Sequence, residues 1–225
     1  MQEAVEQRWA TFDCYGTLID WGTGMKQALE TILPGDVLPL LTRYYEIEKE
    51  VEAERPFRSY RNVLAETLRR ATRAAGIPLA SGAEHVLADT LPNWPVFPDV
   101  GPALTALRAA RWKLAILSNV DKDLITATQR SLPVPFDDVI TAEEVRAYKP
   151  SLNHFHHFRD KHQVASKNWI HVARSYFHDI VPASQLGLQS VWINRDGETA
   201  PDSLATVELP DLRDLAPTLQ ALTGK

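Results

Sequence analysis

Apolar residues fall along this chain in two rhythms. Arg8 to Asp13 is a short, nearly continuous apolar run ending in an acid, the pattern of a buried strand. From about Lys26 to Leu91 the strand signal disappears. Apolar positions there recur at helical spacing, broken at Pro34-Gly35, Pro56, Gly76-Ile77-Pro78 and Ser81-Gly82. The spacing predicts four helices, over 24–33, 36–54, 58–75 and 81–91, enough to pack as a small bundle. Trp94-Pro95-Val96-Phe97-Pro98 then reads as a stiff return linker, because proline fixes φ and cannot continue a helix.

Past the linker the two rhythms alternate. Helices are expected at 100–110, 121–131, 151–162, 179–186 and 210–222, and strands at 113–117, 137–141, 169–173, 190–193 and 205–208. Alternation of this kind builds a parallel sheet with crossover helices on both faces. The chain therefore reads as an α/β protein with a Rossmann-like core, residues 1–20 and 95–225, and a helical insertion over 21–94.

Composition narrows the field. Hydrophobic residues make up 44% and charged residues 24% of 225, the balance of a water-soluble globular protein. A net charge of −5 gives no basic stripe for nucleic acid, and the arginines from Arg69 to Arg73 read as the wet face of a helix. No stretch is long and apolar enough to span a membrane, and MQEAVEQRW lacks the apolar core of a signal peptide. Cys14 is the lone cysteine, so no internal disulfide can form. The expectation is a cytoplasmic protein that takes a small-molecule partner, with a homodimer as an open option.

An open parallel sheet binds ligands at the carboxyl ends of its strands. After the first predicted strand come Asp13, Tyr15 and Thr17; after the second, Ser118-Asn119; after the third, Lys149; after the fourth, Arg174-Ser175 and Asp179. An acid, hydroxyl and amide donors, an amine and a second acid thus converge on one edge. Taken singly, Asp13 could cap a turn, Ser118 and Asn119 a helix, and Asp179 could serve a helix N-terminus.

Together these runs resemble the four motifs of the haloacid dehalogenase superfamily. Thr11-Phe12-Asp13-Cys14-Tyr15-Gly16-Thr17-Leu18 is similar to the first, Leu117-Ser118-Asn119 to the second, and Tyr148-Lys149-Pro150 to the third. His171 to Asp179 occupies the place of the fourth, and the helical insertion that of the family's cap. The resemblance implies that Asp13 is a nucleophile forming a covalent ester, that Lys149 keeps it ionised, and that Ser118 and Asn119 bind the anionic group. Asp179 would direct the water that cleaves the ester. Tyr15, Trp21 and cap residues would form an apolar wall.

Two departures from the superfamily's phosphatases set the expected chemistry. Those enzymes place a second acid two positions after the nucleophile, to protonate a leaving alkoxide; here Tyr15 stands there, as in the 2-haloacid dehalogenases. Magnesium-dependent members carry an acid where this chain has Arg174 or Ser175, and an inward Arg174 would balance the charge without metal. The resemblance thus implies a metal-independent dehalogenase of short 2-haloalkanoic acids. The alternatives are a Mg²⁺-dependent phosphatase of a small phosphate ester and a non-catalytic small-anion binder. The dehalogenases also carry Ser-Ser-Asn before the last Asp, which this chain lacks, and hold halide with a cap arginine. Arg43 is the candidate for that arginine, with Arg58 and Arg61 as weaker ones. His154, His156 and His157 share a predicted helix, and a wet helix face is the ordinary reading of them.

Overall fold

The computed structural model describes residues 7–200, 202 and 204–223; the N-terminal stretch read for a leader begins outside them, at Met1–Glu6. β1 (Trp9–Phe12) is buried along its whole length and stands at the centre of a six-stranded, all-parallel sheet. The chain leaves β1 through a helical block: α1 (Trp21–Glu30), α2 (Leu38–Ala53), α3 (Tyr60–Ala74) and the short α4 (Val86–Thr90). It returns through α5 (Val100–Ala109) to β2 (Lys113–Ser118), then α6 (Lys122–Thr128) and β3 (Asp138–Thr141). After α7 (Ala142–Val145) and α8 (Asn153–His162) it crosses back to β4 (Trp169–Ala173) on the other side of β1. α9 (Val181–Gln185), β5 (Gln189–Ile193), β6 (Val207–Leu209) and α10 (Leu215–Thr223) complete the layer.

The strand order β3-β2-β1-β4-β5-β6 reverses direction at β1. A crevice opens at such a switch point, because consecutive crossover helices go to opposite faces. Phe12 pairs with Ile116 of β2 and Val172 of β4, so Asp13 emerges where all three strands end. Helices cover both faces, which is why β1 and β4 read as near-continuous apolar runs.

The turn after β1 folds back at once. The amides of Leu18 and Ile19 both donate to the Cys14 carbonyl, at 2.8 and 3.0 Å. Gly16 sits at φ +91°, and a Cβ there would meet Arg174 Cδ at 3.3 Å, so glycine fits on both counts. The helical block is fastened to the core by Asp121. Its two carboxylate oxygens accept the Tyr60 and Arg61 amides, 2.8 Å each, at the first turn of α3.

Several expected helices differ in detail, the last beginning only at Leu215. The segment 81–91 begins as a 3₁₀ turn at Ala83–His85 after left-handed Gly82, before α4. The expected 179–186 helix starts earlier, as a π turn over Tyr176–Ile180 capped by Ser175. Pro182 explains the switch: it has no N–H to bond back to the His178 carbonyl, so the regular ladder cannot run through it. Among the described residues no helix is long and apolar enough to cross a membrane.

Candidate active site

Asp13, Lys149 and Asp179 meet at the crevice. Lys149 Nζ donates to Asp13 Oδ1 at 2.9 Å, to Asp179 Oδ1 at 2.6 Å and to the Leu117 carbonyl at 2.8 Å, so all three ammonium protons are placed. Its side chain is 1% exposed. Thr17 ties β1 to β4: its hydroxyl donates to Asp13 Oδ2 at 3.1 Å and accepts the Arg174 amide at 2.9 Å. Asn119 clamps the Lys149 backbone, its Oδ1 accepting the Lys149 amide at 2.7 Å and its Nδ2 donating to the carbonyl at 3.1 Å.

Burial and pairing set the charges. Burial pushes the Asp13 carboxyl up, Lys149 pulls it back, and the Asp179 charge pushes again; the net is a carboxyl above the ordinary range. Burial also opposes the charge on Asp179, but Lys149 and His171 outweigh it and hold Asp179 down at about 2. Desolvation alone would lower Lys149, yet the two carboxylates leave it above an ordinary lysine. The trio thus carries one net negative charge, and Asp13 is its more basic acid.

A cavity of about 970 Å³ opens over Asp13. Tyr15, Ser118, Asn119, Arg174, Ser175 and Asp179 line it from the core, and Trp21, Tyr45, Glu48, Lys49, Glu52 and Tyr60 from the helical block. The Tyr15 hydroxyl shares a hydrogen bond with Thr128 Oγ1 at 2.9 Å, and burial holds its phenol well above the usual value. Its ring meets Trp21 edge-on at 6.0 Å, giving the cavity an aromatic wall. Ser175 Oγ lies 3.0 Å from His178 Nδ1 and accepts the His178 amide at 3.2 Å.

Several candidates sit elsewhere. Arg43 lies on the outer face of α2, more than half exposed, bonded to Glu46 at 2.8 Å, and does not line the cavity. The reason is helical phase. Leu40, Leu41, Tyr44, Ile47 and Val51 are buried, Tyr45, Glu48 and Glu52 look into the cavity, and Arg43, Glu46 and Glu50 face solvent. Arg58 pairs with Glu54, and Arg61 with Asp89 and Asp123. Arg174 reaches the cavity edge, but its guanidinium is held by Asp196 and Glu198, so it does not offset Asp13. The three helix histidines diverge: His154 bonds the Ser118 carbonyl, His156 meets Arg159, and His157 meets Glu144. In the Arg69–Arg73 run, Arg69 and Arg70 pair with glutamates.

Residue reasoning missed the acids of the helical block. Glu48 accepts the Tyr60 hydroxyl at 3.0 Å, and burial pushes it up to about 7. Burial and the Glu48 charge push Glu52 well above the usual range; its Oε2 lies 3.8 Å from His178 Nε2. Their i,i+4 spacing beside the apolar stripe of α2 was the available signal.

Comparisons with known proteins place the fold and the family. The chain is 28% identical to (S)-2-haloacid dehalogenase 1 of Pseudomonas sp. (strain CBS-3), over 96% of this chain and 98% of that one. It is 26% identical to (S)-2-haloacid dehalogenase 4A of Burkholderia cepacia, over 84% of each. The crystal structure of an L-2-haloacid dehalogenase superposes with a TM-score of 0.86 at 25% identity, covering 96% of this chain and 99% of that one. Residues 8–180 match the family described as haloacid dehalogenase-like hydrolase, and with three quarters of the chain so matched, this protein belongs to that family.

Proposed function

We propose that this hydrolase displaces halide from short 2-haloalkanoic acids through an ester on Asp13. The observation that carries the reading is the Asp13–Lys149–Asp179 trio beside Tyr15. It supplies a buried, ionisable nucleophile, a cation holding two carboxylates, and no carboxylic acid at the position from which a phosphatase protonates its alkoxide. Halide is a weak base and leaves without a proton.

Asp13 attacks C2 of the substrate, forming the C–O bond as the C–halogen bond breaks. Water then attacks the carboxyl carbon of that ester beside Asp179, restoring the Asp13 carboxylate and releasing the 2-hydroxy acid. Thr17 and Lys149 hold the two Asp13 oxygens, so the nucleophile approaches in one orientation. Ser118 lines the cavity as a donor to the substrate carboxylate, while Asn119 acts by fixing the Lys149 backbone. The helical block over 21–94 serves as the cap, with Trp21 and Tyr60 excluding bulk water.

The residues present do not fit a magnesium ion. Lys149 already donates to both carboxylates, and no group of three or more His, Cys, Asp or Glu suited to a metal exists among the described residues. The test is halide release from chloro-, bromo- and fluoroacetate and 2-chloropropionate, with Asp13→Asn as control. No halide from any of them, or full activity of the variant, overturns the reading.

A further inference from the structure

We infer that His171 is a positioning residue for the second half of this reaction: its imidazole fixes Asp179 so that one carboxylate oxygen alone remains for the hydrolytic water. The inference rests on the aspartyl-ester reading above.

His171 of β4 stands in register with Thr11 of β1, and Trp169, two residues earlier, shares its face of the strand. Trp169 Nε1–H can only donate, and it does so to Thr11 Oγ1 at 2.8 Å. Among the described residues the Thr11 hydroxyl proton has no other hydrogen-bond acceptor, so it goes to His171 Nδ1, 2.9 Å away, which makes that nitrogen an acceptor. An imidazole that accepts at Nδ1 carries its proton on Nε2, which donates to Asp179 Oδ1 at 2.9 Å. Satisfying the indole and the hydroxyl together therefore sets the tautomer of His171.

This line runs through an apolar interior. Thr11 and His171 are fully buried, Trp169 and Asp179 nearly so, and the Phe155 ring meets the imidazole edge-on at 4.9 Å. Apolar residues would pack this face without any hydrogen-bond requirement, and a polar line is stable here only because each contact is satisfied. Nor does Asp179 need His171 to balance its charge, since Lys149 already sits 2.6 Å away. What His171 adds is a second donor on the same oxygen. With Lys149 and His171 both on Oδ1, the carboxyl plane is set, and the buried Oδ2 has no hydrogen-bond partner among the described residues. Asp179 lines the cavity, and an orphaned acceptor on it is where an entering water donates its proton.

The step balances as follows. The water oxygen bonds to the acyl carbon of the Asp13 ester as Asp179 Oδ2 accepts one water proton. Collapse breaks the acyl C–O bond to the substrate, and the departing oxygen takes that proton from Asp179, giving the hydroxy acid. The second water proton remains on the Asp13 carboxyl and is released to solvent.

Two variants test it with 2-chloropropionate: His171→Phe removes the donor, and Thr11→Val releases the lock on the tautomer while nearly conserving shape. Rapid-quench halide release and intact-protein mass are measured together, with His171→Gln as the rescue because its amide can donate. Expected are a first-turnover halide release near wild type, steady-state turnover down by at least about tenfold, and an ester adduct on Asp13 that accumulates. The glutamine variant should recover part of the loss. Unchanged turnover in both variants overturns the assignment, as does an equal fall of both phases without adduct. Absence of halide and adduct in the wild-type enzyme overturns the ester reading itself, and this inference with it.

Discussion

The two walls of the cavity were written into the sequence in different ways. On the core wall, Asp13, Ser118, Lys149 and Asp179 follow strand ends and gather at one point. On the wall from the helical block, the arginine expected to meet an anion faces solvent, and two glutamates face inward. A parallel sheet fixes where each strand stops, so a residue just past a strand has its place set by topology. A helix offers three stripes, and packing alone decides which one meets the site. The core wall could therefore be placed from the order of strands, while the other wall waited on how α2 packs.

The largest effects should come from the core wall. Asp13→Asn is expected to reduce halide release by about 10⁴-fold or more, because the proposed nucleophile has no substitute. Lys149→Met should cost about 3–5 kcal/mol of stability by denaturant unfolding, since it leaves two buried carboxylates facing one another. In the proposed mechanism Asp13 attacks as a carboxylate, and burial raises its carboxyl above the ordinary 3.8, so kcat/KM should fall as pH drops through that raised value. An acid limb at or below 3.8 would show that the core wall is wetter than its packing implies.

Asp13 and Ser118 were legible because each closes an apolar run, Lys149 and Asp179 because each follows one within a few residues, and the order of runs gave the sheet. The helical insertion was legible from period and breakers. Two things were not. The π turn before α9 depends on Pro182 and on the Ser175 cap together, which no single window of sequence expresses. The roles of Arg43 and Arg174 failed for a related reason: each has an acidic partner, Glu46 one turn on and Asp196 across a loop, that captures the guanidinium first. Charge counting allowed an inward Arg174 because it could not see Asp196.

The acids of the helical block give an intermediate effect with a definite sign. Glu48 titrates near 7 in the fold against an ordinary 4.5, so the folded state holds its proton across that window. Stability contributed by the neutral acid is present below 4.5 and is lost as pH rises through 7. Glu48→Gln should therefore gain stability relative to wild type at pH 8 but not at pH 4. The same ionisation, shared with Glu52 beside Asn119 and Lys149, brings negative charge to the wall an anionic substrate faces. The KM for 2-chloropropionate should rise roughly tenfold from pH 6 to pH 8.5, the effect of one charge worth about 1–2 kcal/mol at several ångströms. Glu52→Gln should flatten that rise; a KM that stays level in wild type would remove the distinction between the two walls.

The smallest expected effect is the sharpest test of helical phase. Arg43 and Glu46 form an exposed i,i+3 pair, worth well under about 1 kcal/mol. Arg43→Ala should leave stability within about 0.5 kcal/mol and the KM for 2-chloropropionate within about twofold. The comparison breaks if halide release instead falls by an order of magnitude. The Arg43 guanidinium would then reach the cavity during turnover, and α2 would have to rotate or slide to bring it there. Such a movement would also carry Glu48 away from Tyr60, so the pH dependence of KM would vanish in the same enzyme. A silent Arg43 with a pH-sensitive KM leaves only one stripe of α2 available to the substrate, the stripe that holds the glutamates.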